Sequence, residues 1–211
     1  MKYIMLNKLK VYRVEIAVFV GLIVSIVCCF VNLVGQSEDI SNHILRLHIL
    51  ANSDTEEDQN LKLQVRDEIL NSFNFDYTEN SDLYEMEKQV EDERINIEKV
   101  AKDVVEKAGY GYGVESEIVN MYFDTREYDN FAMPAGKYDA LRIKIGEARG
   151  HNWWCVLVPS LCVPAANGEV DEKIEDVFNR QQQDLIEAGC KTEVRFAVIE
   201  AYEYIKEQLF S

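Results

Sequence analysis

A short run in the second half of the chain concentrates the residue types best able to do chemistry. Both tryptophans lie side by side as Trp153 and Trp154, with His151 two residues before them and Cys155 directly after. A cysteine with a histidine is a usual pair for nucleophilic catalysis, in which the imidazole acts as the general base. Residues four apart on one strand share a face but lie about 13 Å apart, so the spacing alone does not build this pair.

The cysteines also have a structural interpretation. Cys155 and Cys162 are close enough in sequence to face each other across a turn, and together they are the predicted disulfide. Spacing does not fix the connectivity, and Cys190 is the candidate for a free thiol. The histidines show no ligand spacing with the cysteines, so we expect no metal site. A Gly-Tyr-Gly-Tyr-Gly run over 109–113 follows a helix, which is the wrong context for a dinucleotide site, and no cofactor is expected.

Hydrolysis by paired carboxylates is the other enzyme class to consider. The chain has 38 Asp and Glu residues, and this abundance weakens the signal of any one of them. Asp54, Asp139 and Glu147 lie at expected strand ends or turns, but nothing singles out a pair. A cell-wall or peptide hydrolase, using His151 with Cys155 or an acid such as Asp139, is therefore kept only as the alternative function.

The N-terminus predicts where the chain acts. A basic flank over residues 1–15 precedes an apolar run over 16–34 that has no charged residue and is long enough to cross a bilayer. The basic side stays cytoplasmic, so the rest is expected to be exported. The run is either a signal peptide or a signal anchor, and the poor cleavage site, with Leu33 and Gly35 at the small-residue positions, favours an uncleaved anchor. Residues 35–42 are predicted as a linker and 43–211 as one extracytoplasmic domain.

The charge of the exported part excludes a class of partner. It carries 18 of the 22 Lys and Arg residues and 37 of the 38 Asp and Glu residues, a formal charge of −19. Such a charge repels polyanions, so we expect no nucleic acid partner and no passive adhesion to anionic lipid.

Hydrophobic periodicity predicts an α+β domain with a mixed or mainly antiparallel sheet packed by amphipathic helices. The capping residues Ser53 and Asp54 are expected to start the first helix of this domain. The strand that ends near Gly146 is expected to turn back through Gly150 into the tryptophan strand as a hairpin. The expected elements are strands over 43–50, 114–124, 137–146, 152–158 and 192–196, a loop over 126–136, and helices ending near 71 and spanning 82–108, 171–188 and 197–210.

Two positively charged or titratable side chains share one face of the first strand. Arg46 and His48 alternate with apolar residues there, and Arg142 lies on another strand. Either these arginines pair with acids of the following helix, such as Asp67 or Glu68, or they form a polar recognition face. Trp153 and Trp154 must point to opposite faces, so we expect one in the core and one available for an interface.

Two long segments carry a family resemblance. Residues 46–59 read RLHILANSDTEEDQ, and residues 134–162 read PAGKYDALRIKIGEARGHNWWCVLVPSLC. Together they resemble the signature of the stage II sporulation protein R family, in the same order. The resemblance covers most of the exported part of the chain.

The resemblance implies a role that composition does not show. Members of this family are signalling proteins of endospore formation, exported into the space between the forespore and mother-cell membranes. There they activate a mother-cell membrane aspartic protease that cleaves the precursor of sigma-E, and they are not themselves enzymes. On this expectation the partner-binding residues are predicted to be Arg46, His48, Asp139, Arg142, His151, Asn152 and Trp153.

Overall fold

The computed structural model describes residues 2–73, 83–128, 131–158, 161, 174, 178–186 and 190–210. In chain order, the elements are α1 (Lys2–Ser41), β1 (Leu45–Leu50), α2 (Glu56–Ser72), α3 (Leu83–Lys107), β2 (Val114–Phe123), β3 (Arg126–Glu127), β4 (Ala132–Met133), β5 (Gly136–Ile145), β6 (Asn152–Val158), α4 (Arg180–Ile186) and α5 (Cys190–Phe210). The predicted α+β class with a mixed sheet is confirmed.

The main sheet has the strand order β2-β5-β1-β6. β1 runs parallel to β5 and antiparallel to β6, and β2 pairs antiparallel with β5 over ten residues. The predicted hairpin between β5 and β6 is wrong, because β1 lies between them. The intervening turn instead crosses the end of β1, where the N–H of Gly150 donates to Ala51 O at 3.0 Å and the N–H of Arg149 donates to Asn52 O at 3.2 Å.

The alternation of side chains along β1 separates two cores. Leu45, Leu47 and Ile49 face α2 and α3 in a first core. A second core lies on the other face of the sheet and joins the end of α1, the β3–β4 hairpin and the helices α4 and α5. Helices therefore cover both faces, so the polar side chains of β1 that alternate with the leucines are placed inside the protein.

The start of α2 differs from the prediction by one or two residues. Thr55 is the N-cap, and its hydroxyl accepts a hydrogen bond from the Asp58 N–H at 3.3 Å. Ser53 instead donates to the Asp58 carboxylate at 2.5 Å. Asp54 turns away from the helix and binds His151. Asp54, a residue type that often caps helices, therefore binds the segment that leads into β6 instead of capping α2.

The N-terminal helix does not stop where the apolar run ends. Residues 35–42, predicted as a linker, are helical through Ser41, and Ile40 is fully buried in the second core. The stretch Tyr12–Ser41 is apolar and long enough to cross a membrane, and its most apolar part is unburied. The anchor candidate and the domain are therefore joined by continuous helix.

The C-terminal region is helical where a strand was expected. The predicted strand over 192–196 is wrong, because these residues belong to α5. The buried residues Phe196, Ile199 and Glu203 are spaced three and four apart, which is the helical period. In the predicted helix over 171–188, residues 171–173, 175–177 and 187–188 lie outside the described residues. The rest is interrupted at Phe178 and Asn179, after which α4 begins.

One predicted loop also contains regular structure. The segment 126–136 holds the short antiparallel pair of β3 and β4, with Arg126 opposite Met133. Phe131 and Met133 are buried in the second core. This hairpin closes over the face of the sheet that carries Arg46, which places the Tyr128 hydroxyl within reach of the guanidinium.

Candidate partner-binding site

The seven residues predicted to bind a partner do not form one site. Arg46 and His48 lie on the second-core face of β1 and are 0% and 3% exposed. Arg142 is half-buried, and as the register partner of His48 it lies on the same face. Asp139 lies on the opposite face of β5. The other three residues, His151, Asn152 and Trp153, are grouped at the start of β6, where His151 and Asn152 are exposed and Trp153 is half-buried.

Arg46 is a buried cation, and no carboxylate of the described residues pairs with it. Its Nε donates to Cys155 O and its Nη2 to the Tyr128 hydroxyl, both at 3.1 Å. The guanidinium carbon lies 4.4 Å from the centre of the Phe123 ring and 5.0 Å from that of Tyr138. These electron-rich ring faces stabilise the charge in place of an ion pair. The predicted pairing with Asp67 or Glu68 is wrong, because α2 covers the other face of the sheet.

His48 is the second unusual group on this face. Its ring stacks on Trp154 at 3.9 Å between centroids and 8° between planes, and in the described part of the chain neither ring nitrogen makes a hydrogen bond. Burial is the main cause that lowers the pKa of His48 to about 4. The imidazole is therefore neutral at ordinary pH and serves as a packing surface for the indole.

This lowered pKa predicts a pH dependence of stability. The folded pKa of His48 is about 4, against an ordinary value of 6.5, so the unfolded chain binds more protons between these values. Stability contributed by neutral His48 is present above pH 6.5 and is lost as the pH falls towards 4, by roughly 2–3 kcal/mol in total. Phenylalanine cannot be protonated, so we expect the His48→Phe variant to lack this pH dependence. Between pH 6.5 and 4 the unfolding free energy of the wild type should fall by roughly 2–3 kcal/mol more than that of the variant. Urea titrations of both proteins between pH 4 and 7.5 measure it, and parallel curves would contradict the assignment.

The group at the start of β6, together with two residues of the neighbouring segments, is called the Trp153 patch: Asp54, Arg66, His151, Asn152 and Trp153. Asn152 lies at the edge of the patch, because it points to the opposite face of β6 from Trp153, towards His48. The Arg66 guanidinium of α2 lies 4.3 Å from the centre of the Trp153 ring. His151 Nδ1 contacts the Asp54 carboxylate at 2.5 Å, and 81% of the His151 side chain is exposed. The His151 backbone N–H also donates to this carboxylate, and these bonds hold the pKa of Asp54 below its usual value. Trp153 is half-buried against the first core, and the Arg66 side chain, which also pairs with Asp67, is 16% exposed, so His151 is the most exposed of these three side chains.

A buried lysine supports the patch from below. Lys62 is 4% exposed, and its Nζ donates to His151 O at 2.8 Å and to Gln59 Oε1 at 2.6 Å. Burial is the main cause that lowers the pKa of Lys62. The ammonium ties α2 to the start of β6, so the position of His151 is set by two elements that are distant in sequence.

Asp139 and Arg142 take part in separate polar contacts. Asn120 Nδ2 donates to Asp139 Oδ1 at 2.9 Å. Burial raises the pKa of Glu87 to about 7, and a hydrogen bond with Asp139 and its negative charge are the further causes. Arg142 Nη2 lies 2.8 Å from Glu117 Oε1, a carboxylate that Lys144 also contacts. Neither residue reaches the Trp153 patch, so the structure does not place the two with the exposed group.

The arrangement does not assemble the thiol–histidine pair. Cys155 is 2% exposed in the first core, while His151 binds Asp54. Cys162 lies outside the described residues, and its pairing with Cys155 stays a prediction. Across the described ranges, no group of three or more His, Cys, Asp or Glu side chains is placed to hold a metal ion.

Several residues of these sites were missed in the sequence. Tyr128 lies in a segment expected to be a loop, so no periodic pattern pointed to it. Tyr138 lies at the start of a predicted strand, but nothing in the pattern singled it out. Arg66 lies on α2 far from Trp153, and only the packing of α2 on the sheet brings them together. The run from Ala51 to Asp54 did carry a signal, because turn-type residues beside a strand end often bind other loops.

Comparison with known proteins assigns this chain to a family. Residues 41–168 match the Stage II sporulation protein R family profile. They include β1, β5, β6 and the whole Trp153 patch. The chain belongs to the stage II sporulation protein R family. The stage II sporulation protein R of Bacillus subtilis (strain 168) is 35% identical over 143 residues, which are 67% of this chain and 64% of that protein. No solved structure matches this family member.

Proposed function

We propose that this sporulation protein is an extracytoplasmic ligand that activates a membrane-embedded aspartic protease of the mother cell, which then processes the sigma-E precursor. Membership of the stage II sporulation protein R family is the observation that carries the proposal. Support comes from an N-terminal helix able to cross a membrane and from an acidic domain beyond it. The site of action is then the space between the forespore and mother-cell membranes.

The membrane arrangement follows from the helix and its flank. We propose that α1 is an uncleaved anchor, with Lys2, Lys8 and Lys10 on the cytoplasmic side by the positive-inside rule. The domain that starts near β1 is then exported and stays tethered. A ligand tethered in this way meets a partner in an adjacent membrane without being diluted into free solution.

The Trp153 patch is the surface that we propose for the protease. An aromatic ring beside a guanidinium is the composition typical of binding hot spots, and His151 and Asn152, at the start of the same strand, are exposed. Activation requires that the ligand bind the active state of the protease more tightly than the inactive one. Arg46 and His48 are proposed to act indirectly, because they position β6 from within the core.

This proposal predicts that the patch can be disabled without unfolding the domain. We expect His151→Ala combined with Asn152→Ala to reduce processing of the sigma-E precursor at least about tenfold, which corresponds to a loss of about 1.4 kcal/mol of binding free energy from the two contacts together. The measurement is processing in membranes that hold the protease, the precursor and the purified full chain. Lys102→Ala, an exposed change on α3, is the matched control and should leave processing unchanged.

The thermal unfolding of each variant separates a binding defect from a folding defect. A double variant that melts like the wild type and still supports full processing would show that the protease binds elsewhere. If the control variant lost activity equally, the assay would be reporting a property other than the Trp153 patch.

A further inference from the structure

One outward face of α5 carries apolar side chains, three of which are exposed over a third or more of their surface. Val198, Ile205 and Leu209 are 36%, 55% and 70% exposed, and with Tyr202 they are spaced four, three and four residues apart. This is the spacing of a single helical stripe. We call these four residues the α5 stripe. The residues that bury α5 in the second core, Phe196 and Ile199, lie on a different face.

The α5 stripe is continuous with the apolar surface of α1. The Tyr202 ring meets the Phe30 ring edge to face, with 5.7 Å between centroids. Lys206, one turn further along α5, donates to Glu38 of α1 at 2.9 Å. Helix α5 therefore crosses α1 at the level of residues 30–38. Phe30 belongs to the uncharged run over 16–34, so the contact places Tyr202 beside the apolar segment.

The length of that run fixes the depth of the contact. Nineteen helical residues span about 28 Å, close to the thickness of a hydrocarbon core, so the whole of the run is needed to cross it. Phe30 is four residues from the outer end, which is about 6 Å inside the hydrocarbon boundary. A tyrosine touching Phe30 then lies at the interface, where tyrosine side chains are enriched in membrane proteins.

The polar groups around the stripe agree with this depth. The Lys206 ammonium lies 5.4 Å from the centre of the Tyr202 ring and pairs with Glu38, at the height expected for headgroups. No acidic residue occupies a position of the stripe, and the exposed Glu200 lies on the far side of the helix from it. The overall negative charge of the domain argues against attraction to anionic lipid, so burial of apolar side chains must supply the association.

We propose that α5 lies in the outer interface of the anchoring membrane, with the α5 stripe in contact with lipid acyl chains. The inference rests on the proposed anchoring by α1 and does not depend on the protease. It gives the domain a second membrane contact beside the anchor, which fixes the face that it turns away from the bilayer.

Photo-crosslinking to lipid tests this placement. The full chain is reconstituted in phosphatidylcholine nanodiscs with benzoylphenylalanine in place of Leu209, of Glu200 or of Val24, and lipid adducts are counted by mass spectrometry. We expect Leu209 to give at least about five times the adduct yield of Glu200, and Val24 to label strongly, because insertion of an interfacial helix buries one face only.

The Val24 position separates this inference from the anchoring proposal. Labelling at Val24 with equal yields at Leu209 and Glu200 would overturn the placement of α5 and leave the anchor standing. Absence of adducts at Val24 and Leu209 would overturn both. A covalent dimer formed from Leu209 would assign the stripe to a second copy of the chain and would also overturn the proposed lipid contact.

Discussion

Replacing Arg46 with alanine is expected to lower the free energy of unfolding by about 3–5 kcal/mol, as large-to-small changes in a core do. The change empties the space between the Phe123 and Tyr138 rings and leaves Cys155 O without its side-chain donor. A buried carbonyl that loses its partner adds a desolvation cost. Guanidinium chloride titration of the detergent-solubilised chain, followed by the fluorescence of the two sheet tryptophans, measures the loss.

Two further variants identify the cause of that loss. Arg46→Met restores much of the volume without the charge, and we expect it to lose about 1–2 kcal/mol. Arg142→Ala removes an arginine from the same sheet, but its side chain is 26% exposed and ion-paired with Glu117, so the loss should stay below about 1 kcal/mol. Equal losses from Arg46→Ala and Arg142→Ala would contradict the special role of the buried guanidinium.

The second large effect is expected at Gly150, where the turn before β6 crosses the end of β1. A Cβ added there would fall well inside contact distance of the Ser53 carbonyl, which is backbone and cannot rotate away. Gly150→Ala should therefore cost about 2–3 kcal/mol through overpacking and should disturb the hydrogen bond from Gly150 N–H to Ala51 O. Because His151 follows directly, we also expect the Trp153 patch to lose its geometry and precursor processing to fall.

Gly113→Ala is the matched control for this prediction. An added Cβ at Gly113 meets nothing within 4 Å, and its backbone is not in the left-handed region. Its stability should stay within about 0.5 kcal/mol of the wild type. A Gly150→Ala protein as stable as the Gly113→Ala protein would contradict this prediction, because it would show that the turn before β6 can move away from the Ser53 carbonyl at little cost.

Local hydrophobic patterns in the sequence predicted most helices and strands, but they could not predict the order of the strands in the sheet. The alternation of Leu45, Leu47 and Ile49 gave β1, and helical spacing gave α3 almost to the residue. The six-residue gap between β5 and β6 suits a hairpin as well as a crossing over a third strand. The deciding factor is the parallel pairing of β1 with β5, a contact between segments about ninety residues apart that no local pattern encodes.

The candidate site shows the same division. The exposure of His151 and the opposite faces of Trp153 and Trp154 follow from strand geometry, and Trp153 and Trp154 do pack in different cores. The burial of Arg46 was not predictable, because its covering consists of Tyr128 from a segment expected to be a loop and Tyr138 from a different strand. Charged side chains are seldom fully buried without a charged partner, so the expectation was a pairing with acids of the following helix or a polar recognition face.

The uninterrupted helix from the apolar run to Ile40 has a mechanical consequence. A tether of loose chain would let the domain turn freely and sample many heights, whereas a helix rooted in the second core behaves as a stiff post. Only about 10 Å of helix separates the end of the apolar run from Ser41. With α1 as the anchor, the Trp153 patch therefore lies at a fixed height above the membrane and in a fixed orientation. Binding to a protease in the opposing membrane then depends on the distance between the two membranes.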